Sequence, residues 1–323
     1  AASAQIIIGA RSALFLPFKN LGLVIVDEAH EPSFKQYNPS PRYHGRDAAI
    51  MLAHQHKAKV ILGSATPSLE SYQNALQGKY GLVTLSERYG KVMMPEIVLI
   101  DLKEKYKKKR MNGHFSDQLI EAINEVLREG QQVLLFQNRR GFAPVVECLT
   151  CGVAPQCPDC DVSLTYHKHK EQLCCHYCGF HQVMPSDCHA CGSTTLDHKG
   201  FGTEQIETEL MELFPDKVIA RMDQDTTRGK HAYAKLMDRM DDREIDILVG
   251  TQMLAKGLDF EHVQLVGVLN ADHLLNFPDF RAHERAYQLL SQVSGRAGRR
   301  QKRGLVLIQS YDPNHRILQQ VST

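Results

Sequence analysis

The residues with the clearest chemical signature are cysteines, which are crowded into one part of the chain. Eight of the nine cysteines form Cys-x-x-Cys pairs, which are Cys148 with Cys151, Cys157 with Cys160, Cys175 with Cys178, and Cys188 with Cys191. A two-residue spacer lets two thiolates of one turn bind the same tetrahedral zinc ion, and two such turns complete a four-sulfur site. Eight ligands therefore predict two structural Zn²⁺ ions.

The gaps between the pairs indicate how they combine. Five residues separate the first pair from the second, fourteen the second from the third, and nine the third from the fourth. Fourteen is close to the spacing of a zinc ribbon, so we expect the second and third pairs to share one ion and the first and fourth to close around them. Cys174 is then a bystander. The alternative, a redox role for one pair, would need a low-pKa thiol in a thioredoxin-like setting.

A second constellation follows an apolar strand near the start of the chain. Leu23 to Val26 runs into Asp27, Glu28 and His30. Carboxylates at the carboxyl end of a parallel strand lie in the crevice where open α/β sheets bind ligands. Asp27 is suited to holding Mg²⁺ and Glu28 to orienting a water for attack on a γ-phosphate. The alternative is a strand that merely ends in a polar turn.

Two further segments could contact phosphate. A loop of small residues, Gly63 to Ser68, follows the strand Val60 to Leu62, and a helical pattern near the end carries Gln292, Arg296 and Arg299. Arginines three residues apart lie on one helix face and can present planar forks to phosphate oxygens. The alternative for the arginines is a solvated basic face.

The segment after the carboxylates, residues 31–46, combines aromatic and basic side chains. Three prolines predict a loop, and the aromatic residues alternate with cations; these side chains are Phe34, Lys35, Tyr37, Arg42 and Tyr43. Stacking of a base on such a ring contributes about 1 to 3 kcal/mol. Its place beside the carboxylates favours DNA sensing over the alternative, in which the aromatic rings fold back onto the core.

The surrounding pattern predicts the elements that position these groups. Short apolar runs alternate with helical patterns, which is typical of a parallel sheet covered on both faces. The expected strands are 6–8, 23–26, 60–62, 133–136, 218–220, 245–249, 263–269 and 305–308, and the expected helices are 46–56, 68–76, 119–127, 204–213 and 283–293. Ser116 is an expected N-cap and Gly130 an expected C-terminal cap. The basic run 103–110 is expected to be a solvated linker rather than a hinge or a phosphate-contacting strap.

Composition excludes several classes of protein. The chain has 323 residues, 43% apolar and 23% charged, with a formal charge of +1, so any nucleic-acid surface must be a local patch. No apolar run approaches the length of a bilayer-spanning helix, and the first residues lack the order of a signal peptide. We therefore expect neither a membrane protein nor a secreted one. The chain opens on Ala1 rather than on Met and runs directly into an apolar stretch, Ile6 to Ile8. We therefore expect it to be a fragment.

Taken in order, these segments resemble superfamily 2 helicases. Asp27 to His30 match the DEAH box, Gly63 to Ser68 the third motif, Gly250 to Phe260 the fifth and Gln292 to Arg299 the sixth. Cysteine pairs inside the second lobe are similar to those of the bacterial primosomal replication-restart helicases, a family of ATP-dependent 3′-to-5′ DNA helicases.

The resemblance implies roles for individual residues. Asp27 would ligate Mg²⁺, Glu28 would be the catalytic base, and His30 and Gln292 would complete the catalytic set. From the second lobe, Gly257 and Asp259 would contact ATP, and Arg296 and Arg299 would stabilise γ-phosphate charge. Residues 31–46 are similar to a loop that couples single-stranded DNA to hydrolysis, and Arg139 and Thr251 match positions that contact DNA phosphates. The implied partners are single-stranded and forked DNA, primosome proteins and single-stranded DNA-binding protein, in the bacterial cytoplasm at the nucleoid.

The architecture that the resemblance implies is two RecA-like α/β lobes, the first truncated and the second interrupted by a two-zinc insertion. The expected segments are 1–102 for lobe one, 103–143 for the hinge and start of lobe two, 144–199 for the zinc insertion, 200–311 for the rest of lobe two and 312–323 for the start of a carboxyl-terminal region. No Gly-x-x-x-x-Gly-Lys-Ser/Thr loop occurs in the sequence, so we expect the fragment alone not to hydrolyse ATP. Two other functions fit, a duplex DNA translocase that does not unwind and a zinc-dependent binding platform.

Overall fold

The computed structural model describes residues 4–86, 93–137, 145–167, 171–197, 202–223, 226, 227, 229, 231–255, 260–298 and 303–323. The chain divides into two compact units, Ala1–Thr84 and Leu85–Thr323. Each unit has its own parallel sheet.

The first unit is built on two parallel strands joined by a helix. Its elements are β1 (Leu23–Val26), α1 (Gly45–His56), β2 (Lys59–Leu62) and α2 (Leu69–Leu76), with short 3-10 helices at Arg11–Phe15 and Pro32–Phe34. Val26 of β1 lies opposite Leu62 of β2, so both strands end at the same edge. Val26, Ala29 and Ala49 form a small core, whereas Ile25 and Ile61 are 64% and 52% exposed.

Six parallel strands form the sheet of the second unit in the part of the chain that is described. Their spatial order is β12 (Ile219–Met222), β13 (Ile247–Gly250), β6 (Gln132–Phe136), β14 (Val263–Val268), β15 (Leu305–Ser310) and β3 (Glu96–Asp101). The helices of this unit are α3 (Leu102–Lys107), α4 (Asp117–Arg128), α5 (Thr203–Leu213), α6 (Ala232–Asp241), α7 (Asp272–Leu275), α8 (Ala282–Ser294) and α9 (Arg316–Ser322), with a 3-10 helix at Gln252–Ala255.

Helices cover both faces of this sheet, because alternate residues of β6 pack in two different clusters. Val133 and Leu135 pack in a cluster with residues of α4 and α5. Leu134 and Phe136 point into a second cluster with residues of α6, α8 and α9. All five residues of β6 are buried, which explains why Val133 to Phe136 form a continuous apolar run rather than an alternating one.

The ends of α4 follow the expected signals. The Ser116 hydroxyl accepts a hydrogen bond from the backbone N–H of Leu119, which satisfies one of the free donors of the first turn. Gly130 follows the helix with φ of 69°, a left-handed conformation that glycine adopts without a Cβ clash.

A small β-rich insertion lies between β6 and α5. Its strands are β7 (Glu147–Cys148), β8 (Thr165–His167), β9 (Gln172–Cys174), β10 (His181–Val183) and β11 (Leu196–Asp197). β8, β9 and β10 form an antiparallel sheet, and β7 pairs with β11. A two-stranded hairpin of β4 (Met111–Asn112) and β5 (Phe115–Ser116) precedes α4.

Most expected elements are confirmed, but three expectations differ from the structure. Residues 6–8 lie outside every described strand, and Ile6 and Ile8 are 82% and 95% exposed. An apolar triplet becomes a strand only where a neighbouring strand can bond it. The basic run 103–110 lies mostly in α3, because Asp101 caps Glu104 and Lys105 pairs with Asp117.

The third difference concerns the boundary that was expected at residue 102. β3 belongs to the sheet of the second unit, where Glu96 to Asp101 pair in register with Leu305 to Ser310 of β15. The division between the compact units falls at residue 84. A local apolar run cannot show which of two sheets will bond it, because the partner strand lies about 200 residues further along the chain.

Replacing Ile123 by Ala tests the packing of α4. Ile123 is fully buried against the sheet, so the loss of its methyl groups should lower the free energy of unfolding by about 2 to 5 kcal/mol. Glu125→Ala on the exposed face of the same helix is the matched control and should change it by less than about 0.5 kcal/mol. Urea denaturation measures both. An equal effect of the two substitutions would contradict the packing described.

Candidate functional site

The carboxylates of the first unit lie at the carboxyl edge of its sheet, directly beside the Gly63–Ser68 loop. Gly63 N–H donates to the Val26 carbonyl, and Ala29 N–H donates to the Gly63 carbonyl, at 2.9 Å each. A Cβ on Gly63 would lie 3.5 Å from Oδ1 of Asp27. The parallel pairing of β1 with β2 therefore brings two segments 36 residues apart, Asp27 and Gly63, to one place.

Glu28 and His30 are arranged around a single hydrogen-bonded turn. Glu28 has φ of 46°, a left-handed conformation that is uncommon for a residue with a side chain and that clusters at functional sites. Its carboxylate is about half exposed and lies 3.5 Å from Nδ1 of His30. His30 is buried, and its Nδ1 is 2.7 Å from the Ser64 hydroxyl oxygen. The imidazole thus links the acidic turn to the loop that follows β2.

The loop after His30 has a fixed stem and an exposed tip. Lys35 and His44 form an antiparallel bridge, and Gln36 N–H donates to the Tyr43 carbonyl at 2.9 Å. The Gln36 side-chain amide donates to the carbonyls of Pro39 and Pro41 at 2.9 and 3.0 Å. These bonds close the loop on itself, so that residues 37–42 form its outer turn.

The aromatic residues of the loop have different environments. Phe34 packs against the small core, and Tyr43 makes an edge-to-face contact with Phe15, with ring centroids 5.1 Å apart. Tyr37 is 67% exposed. Lys35 is half-buried and Arg42 is exposed. We expected three aromatic rings to stack on DNA bases, and Tyr37 is the one of the three that lies at the exposed turn.

In the second unit, the described parts of the fifth and sixth motifs meet. The Arg296 guanidinium donates to the Ala255 carbonyl at 2.5 Å. Ala255 ends the described stretch of the fifth motif that begins at Gly250. Thr251 N–H donates to the Met222 carbonyl across from β12, and Gln292 lies half-buried in α8. Of the remaining expected residues, Arg139, Gly257, Asp259 and Arg299 lie outside the described part of the chain.

The first four-cysteine group joins the first and fourth pairs. The sulfur atoms of Cys148 and Cys191 are 3.6 Å apart, as are those of Cys151 and Cys188, and all four lie within 4.8 Å of one another. Four sulfurs at 2.3 Å from a tetrahedral ion would be about 3.8 Å apart. The antiparallel pairing of β7 with β11 brings these pairs together, with Cys148 opposite Leu196.

The second group joins the second and third pairs, Cys157 and Cys160 with Cys175 and Cys178. The sulfurs of Cys157 and Cys178 are 3.5 Å apart. Cys174 is at the end of β9 and belongs to neither group. The nested arrangement that the gaps predicted is thus confirmed, and both groups fit a zinc ion.

Three of the four cysteine turns share a backbone device that the spacing alone did not identify. Glycine follows the second cysteine at Gly152, Gly179 and Gly192, each with φ between 72° and 81°. Each glycine N–H donates to the carbonyl of the first cysteine of its pair, at 2.7 to 3.1 Å. Glycine at this left-handed position lets the chain turn tightly enough for both thiols to face one point.

The electrostatics of the thiols favour a cation. Burial raises the pKa of Cys148, but the backbone N–H groups of Cys151 and Thr150 outweigh it and lower this pKa to about 7. Burial also raises the pKa of Cys151 and of Cys160 to about 12, reinforced by the neighbouring cysteines. Without a cation each group could therefore lose only some of its thiol protons, whereas zinc stabilises four thiolates together.

Residues that the sequence did not single out hold this module against the sheet of the same unit. A Cβ at Gly152 would overlap the ring of Tyr311, whose hydroxyl donates to the Leu149 carbonyl at 3.4 Å. Glu147 pairs with Nε2 of His273 at 3.2 Å. Asp272 accepts from the Tyr311 N–H at 2.8 Å, and burial raises the pKa of this carboxyl to about 6. No motif marks these positions, because their role depends on what packs beside them.

Comparison with known proteins shows which domains and which proteins this chain resembles. A helicase conserved C-terminal domain matches residues 201–301, and the PriA DNA helicase Cys-rich region domain matches residues 157–182. These matches and the parallel sheets with a DEAH-type edge define a helicase-type core that carries a zinc module. Curated proteins named replication restart protein PriA are similar to this chain over nearly its whole length.

The relatives are longer than this chain. It is 48% identical to replication restart protein PriA of Bacillus subtilis over 99% of this chain and 39% of that protein. The corresponding protein of Haemophilus influenzae is 47% identical over 97% of this chain and 42% of its own length. The chain therefore spans about two fifths of the relatives it matches.

Two solved structures are also similar to this chain. RecG bound to a three-way DNA junction has a TM-score of 0.46 at 13% identity, over 95% of this chain and 30% of its own. The DUF1998 helicase MrfA bound to DNA has a TM-score of 0.47 at 13% identity, over 90% of this chain and 31% of its own.

Among the helices that are described, none is both long enough and apolar enough to span a membrane.

Replacing single cysteines tests the two-ion assignment. Cys157→Ser should lower the zinc content of metal-replete protein from two ions to one per chain, because three thiolates and a hydroxyl bind the ion far less tightly. Cys174→Ser, one residue from the ligand Cys175, is the matched control and should retain two ions. Atomic emission spectroscopy with protein quantification gives both numbers. Loss of zinc from the control, or two ions in Cys157→Ser, would contradict the assignment.

Proposed function

We propose that this chain is part of an ATP-dependent 3′-to-5′ DNA helicase that recognises stalled or abandoned replication forks and recombination intermediates and initiates primosome assembly. The observation that carries the proposal is the junction of the Asp27–His30 turn with the Gly63–Ser68 loop, made by the bond between His30 and Ser64. At this junction the Glu28 carboxylate and the Gly63–Ser68 loop lie close enough to act on the same γ-phosphate of ATP.

Each residue of this edge has a role in the proposed mechanism. Asp27 would hold Mg²⁺, which supplies neutralisation of phosphate charge and prefers carboxylate oxygens. Glu28 orients and deprotonates the attacking water, and its half-exposed carboxylate is accessible for this role. His30 fixes the turn by its contacts to Glu28 and Ser64.

The fifth and sixth motifs of the second unit have roles of their own in the proposed mechanism. Arg296 and Arg299 stabilise the charge that develops on the γ-phosphate, Gln292 positions the attacking group, and Gly257 and Asp259 contact the nucleotide. Arg296 is supported in this role by its bond to the Ala255 carbonyl, which orients the guanidinium beside the fifth motif. A charge-stabilising arginine contributes about 10³ to 10⁵ in rate in related phosphoryl transfers.

DNA contacts in the proposal begin at the loop turn. Tyr37 stacks on a base, and Lys35 and Arg42 neutralise phosphates. Phe34 and Tyr43 support the loop through their packing on the core and on Phe15. Arg139 and Thr251 contact the DNA backbone from the second unit.

The wider setting follows from the relatives, whose name is replication restart protein. We infer single-stranded and forked DNA as substrates, and primosome proteins and single-stranded DNA-binding protein as partners, at the bacterial nucleoid in the cytoplasm. The zinc module, 144–199 in this proposal, is a structural platform on the second lobe, which resumes at 200–311 and is followed by the start of a carboxyl-terminal region at 312–323.

Glu28→Gln in the full-length protein tests the hydrolytic role. The amide keeps the shape of the side chain but cannot take a proton, so ATP binding should persist while kcat falls by about 10²- to 10⁴-fold. Glu70→Gln, an exposed glutamate of α2, is the matched control. Nucleotide binding by fluorescence and phosphate release with forked DNA measure the two quantities. Normal turnover in Glu28→Gln would remove this residue from the mechanism.

Strand displacement separates the proposal from two other functions. DNA-stimulated hydrolysis without displacement of a strand from a fork would indicate a duplex translocase. DNA binding without hydrolysis would indicate a binding platform whose activity depends on the zinc module. Displacement by the unmodified protein and its loss in Glu28→Gln are the expected results.

Tyr37→Ala tests the loop as the DNA contact. Removing an exposed ring should cost about 1 to 3 kcal/mol of DNA binding free energy and most of the stimulation of hydrolysis, with little change in basal ATPase. Tyr72→Ala, an exposed tyrosine of α2 that is 45% accessible, controls for the loss of an aromatic ring elsewhere on the unit. Anisotropy titration with labelled single-stranded DNA and ATPase assays measure the effects. Equal DNA stimulation in Tyr37→Ala would assign the loop a purely structural role.

A further inference from the structure

Arg46 joins two segments of the first unit that are distant in the chain. It lies in the first turn of α1, directly after the loop of residues 31–44. Its Nη1 donates to the hydroxyl oxygens of Ser68 at 2.8 Å and Ser71 at 3.1 Å. Its Nε donates to Asp47 at 2.9 Å, and the side chain is 13% exposed. An arginine held by three hydrogen bonds in this way keeps one orientation.

Ser68 gives this contact its position in the site. It is the N-cap of α2, where its hydroxyl accepts from the Ser71 N–H at 3.4 Å, and it is the last residue of the Gly63–Ser68 loop. The other end of the same loop carries Ser64, which bonds to His30. Ser64 also accepts from the Thr66 N–H at 3.1 Å, so hydrogen bonds brace the loop from His30 towards Arg46.

The stem of the loop of residues 31–44 connects Arg46 with the exposed turn. Lys35 and His44 bridge the stem, and a Cβ on Gly45 would lie 3.1 Å from the ring of Phe34, so the stem packs directly on the start of α1. Arg11 donates to the carbonyls of Ser33 and Lys35 at 2.8 and 3.1 Å. The stem therefore connects the turn that carries Tyr37 with the first turn of α1.

We propose that Arg46 is a positioning residue that couples the loop of residues 31–44 to the Gly63–Ser68 loop, so that a single strand of DNA bound at the turn is sensed at His30 and Glu28. The inference rests on the proposed function, because it names the regulation of that site. Hydrogen bonds join Arg46 to Ser68 and Ser64 to His30, and the backbone of the Gly63–Ser68 loop connects the two serines. Energetic coupling travels through contiguous contacts of this kind.

The planar guanidinium accounts for the choice of residue. It donates from one nitrogen to two serine hydroxyls at the start of α2 and from another to Asp47 of α1, so that three acceptors fix one geometry. A lysine ammonium is a compact charge on a flexible stem and cannot fix three acceptors in a plane. Asp47 itself is exposed on α1 and contacts neither serine in this arrangement, so it serves as a control for loss of the ion pair alone.

The test uses the full-length protein, with poly-dT as the single-stranded probe. The measured quantity is the ratio of kcat with saturating DNA to kcat without DNA, alongside the KM for ATP, the Kd for DNA and the melting temperature. Arg46→Ala should lower the ratio by about tenfold, as for loss of charged hydrogen bonds, while basal kcat, KM and Kd stay within about twofold. Arg46→Lys should recover the ratio only in part, and Asp47→Ala, which removes one of the three acceptors and leaves both serines, should lower the ratio much less than Arg46→Ala does.

A pair of substitutions at Ser68 keeps the inference testable if Arg46→Ala does not fold. Ser68→Gly preserves helix capping to within a few tenths of a kcal/mol but removes the acceptor that joins Arg46 to the Gly63–Ser68 loop, so the ratio should fall as in Arg46→Ala. Ser68→Asp preserves both the cap and an acceptor and should retain the ratio. The double variant Arg46→Ala with Ser68→Gly should be no worse than either single one, because both remove one interaction.

The outcomes separate this inference from the function on which it rests. If DNA stimulates the unmodified protein and also stimulates Arg46→Ala and Ser68→Gly equally, the coupling role is wrong and the proposed function stands. If Asp47→Ala or Ser68→Asp loses stimulation as fully as Arg46→Ala, the contact is structural and the inference is wrong. If the unmodified protein shows no stimulation, the proposed function is wrong and the inference falls with it.

Discussion

The parallel pairing of β1 with β2 is the constraint on which the site depends. Because parallel strands end at the same edge, Val26 opposite Leu62 forces the residues that follow each strand to share one space. The acidic turn and the Gly63–Ser68 loop are consequently joined by backbone bonds at 2.9 Å and by the contact of His30 with Ser64. The left-handed backbone at Glu28 is tolerated because these bonds hold the turn on both sides.

The zinc module is stabilised by its two four-cysteine groups more than by a core of its own. Its own core is small, centred on residues such as Val146, Leu164 and Leu173, and about 50 residues bury too little apolar surface to fold on such a core alone. Two four-cysteine groups supply the missing cross-links. The module is also held to the second unit through Tyr311, Gly152 and the pair of Glu147 with His273, so its position is defined relative to the sheet.

Sequence patterns predicted the parts of the structure that depend on neighbours in the chain. Ser116 and Gly130 mark the ends of α4 because capping is local, and Val133 to Phe136 of β6 form a continuous apolar run because both faces of the strand are buried. The pattern was wrong where burial depends on a distant partner. Ile6 to Ile8 have the composition of a strand but no strand pairs with them in the described residues, and β3 joined the sheet of the second unit by pairing with β15.

By itself the sequence determined the chemistry of the sites: which residues can bind zinc, which carboxylates follow a strand, and how the cysteine pairs nest, since ligand type and spacing are local properties. Only the tertiary structure decided which of these groups meet. It separated Tyr37 at the exposed turn from Phe34 on the core, and it placed Arg46 between that loop and Ser68. Contacts between segments more than twenty residues apart depend on packing and strand register, and neither is written in local spacing.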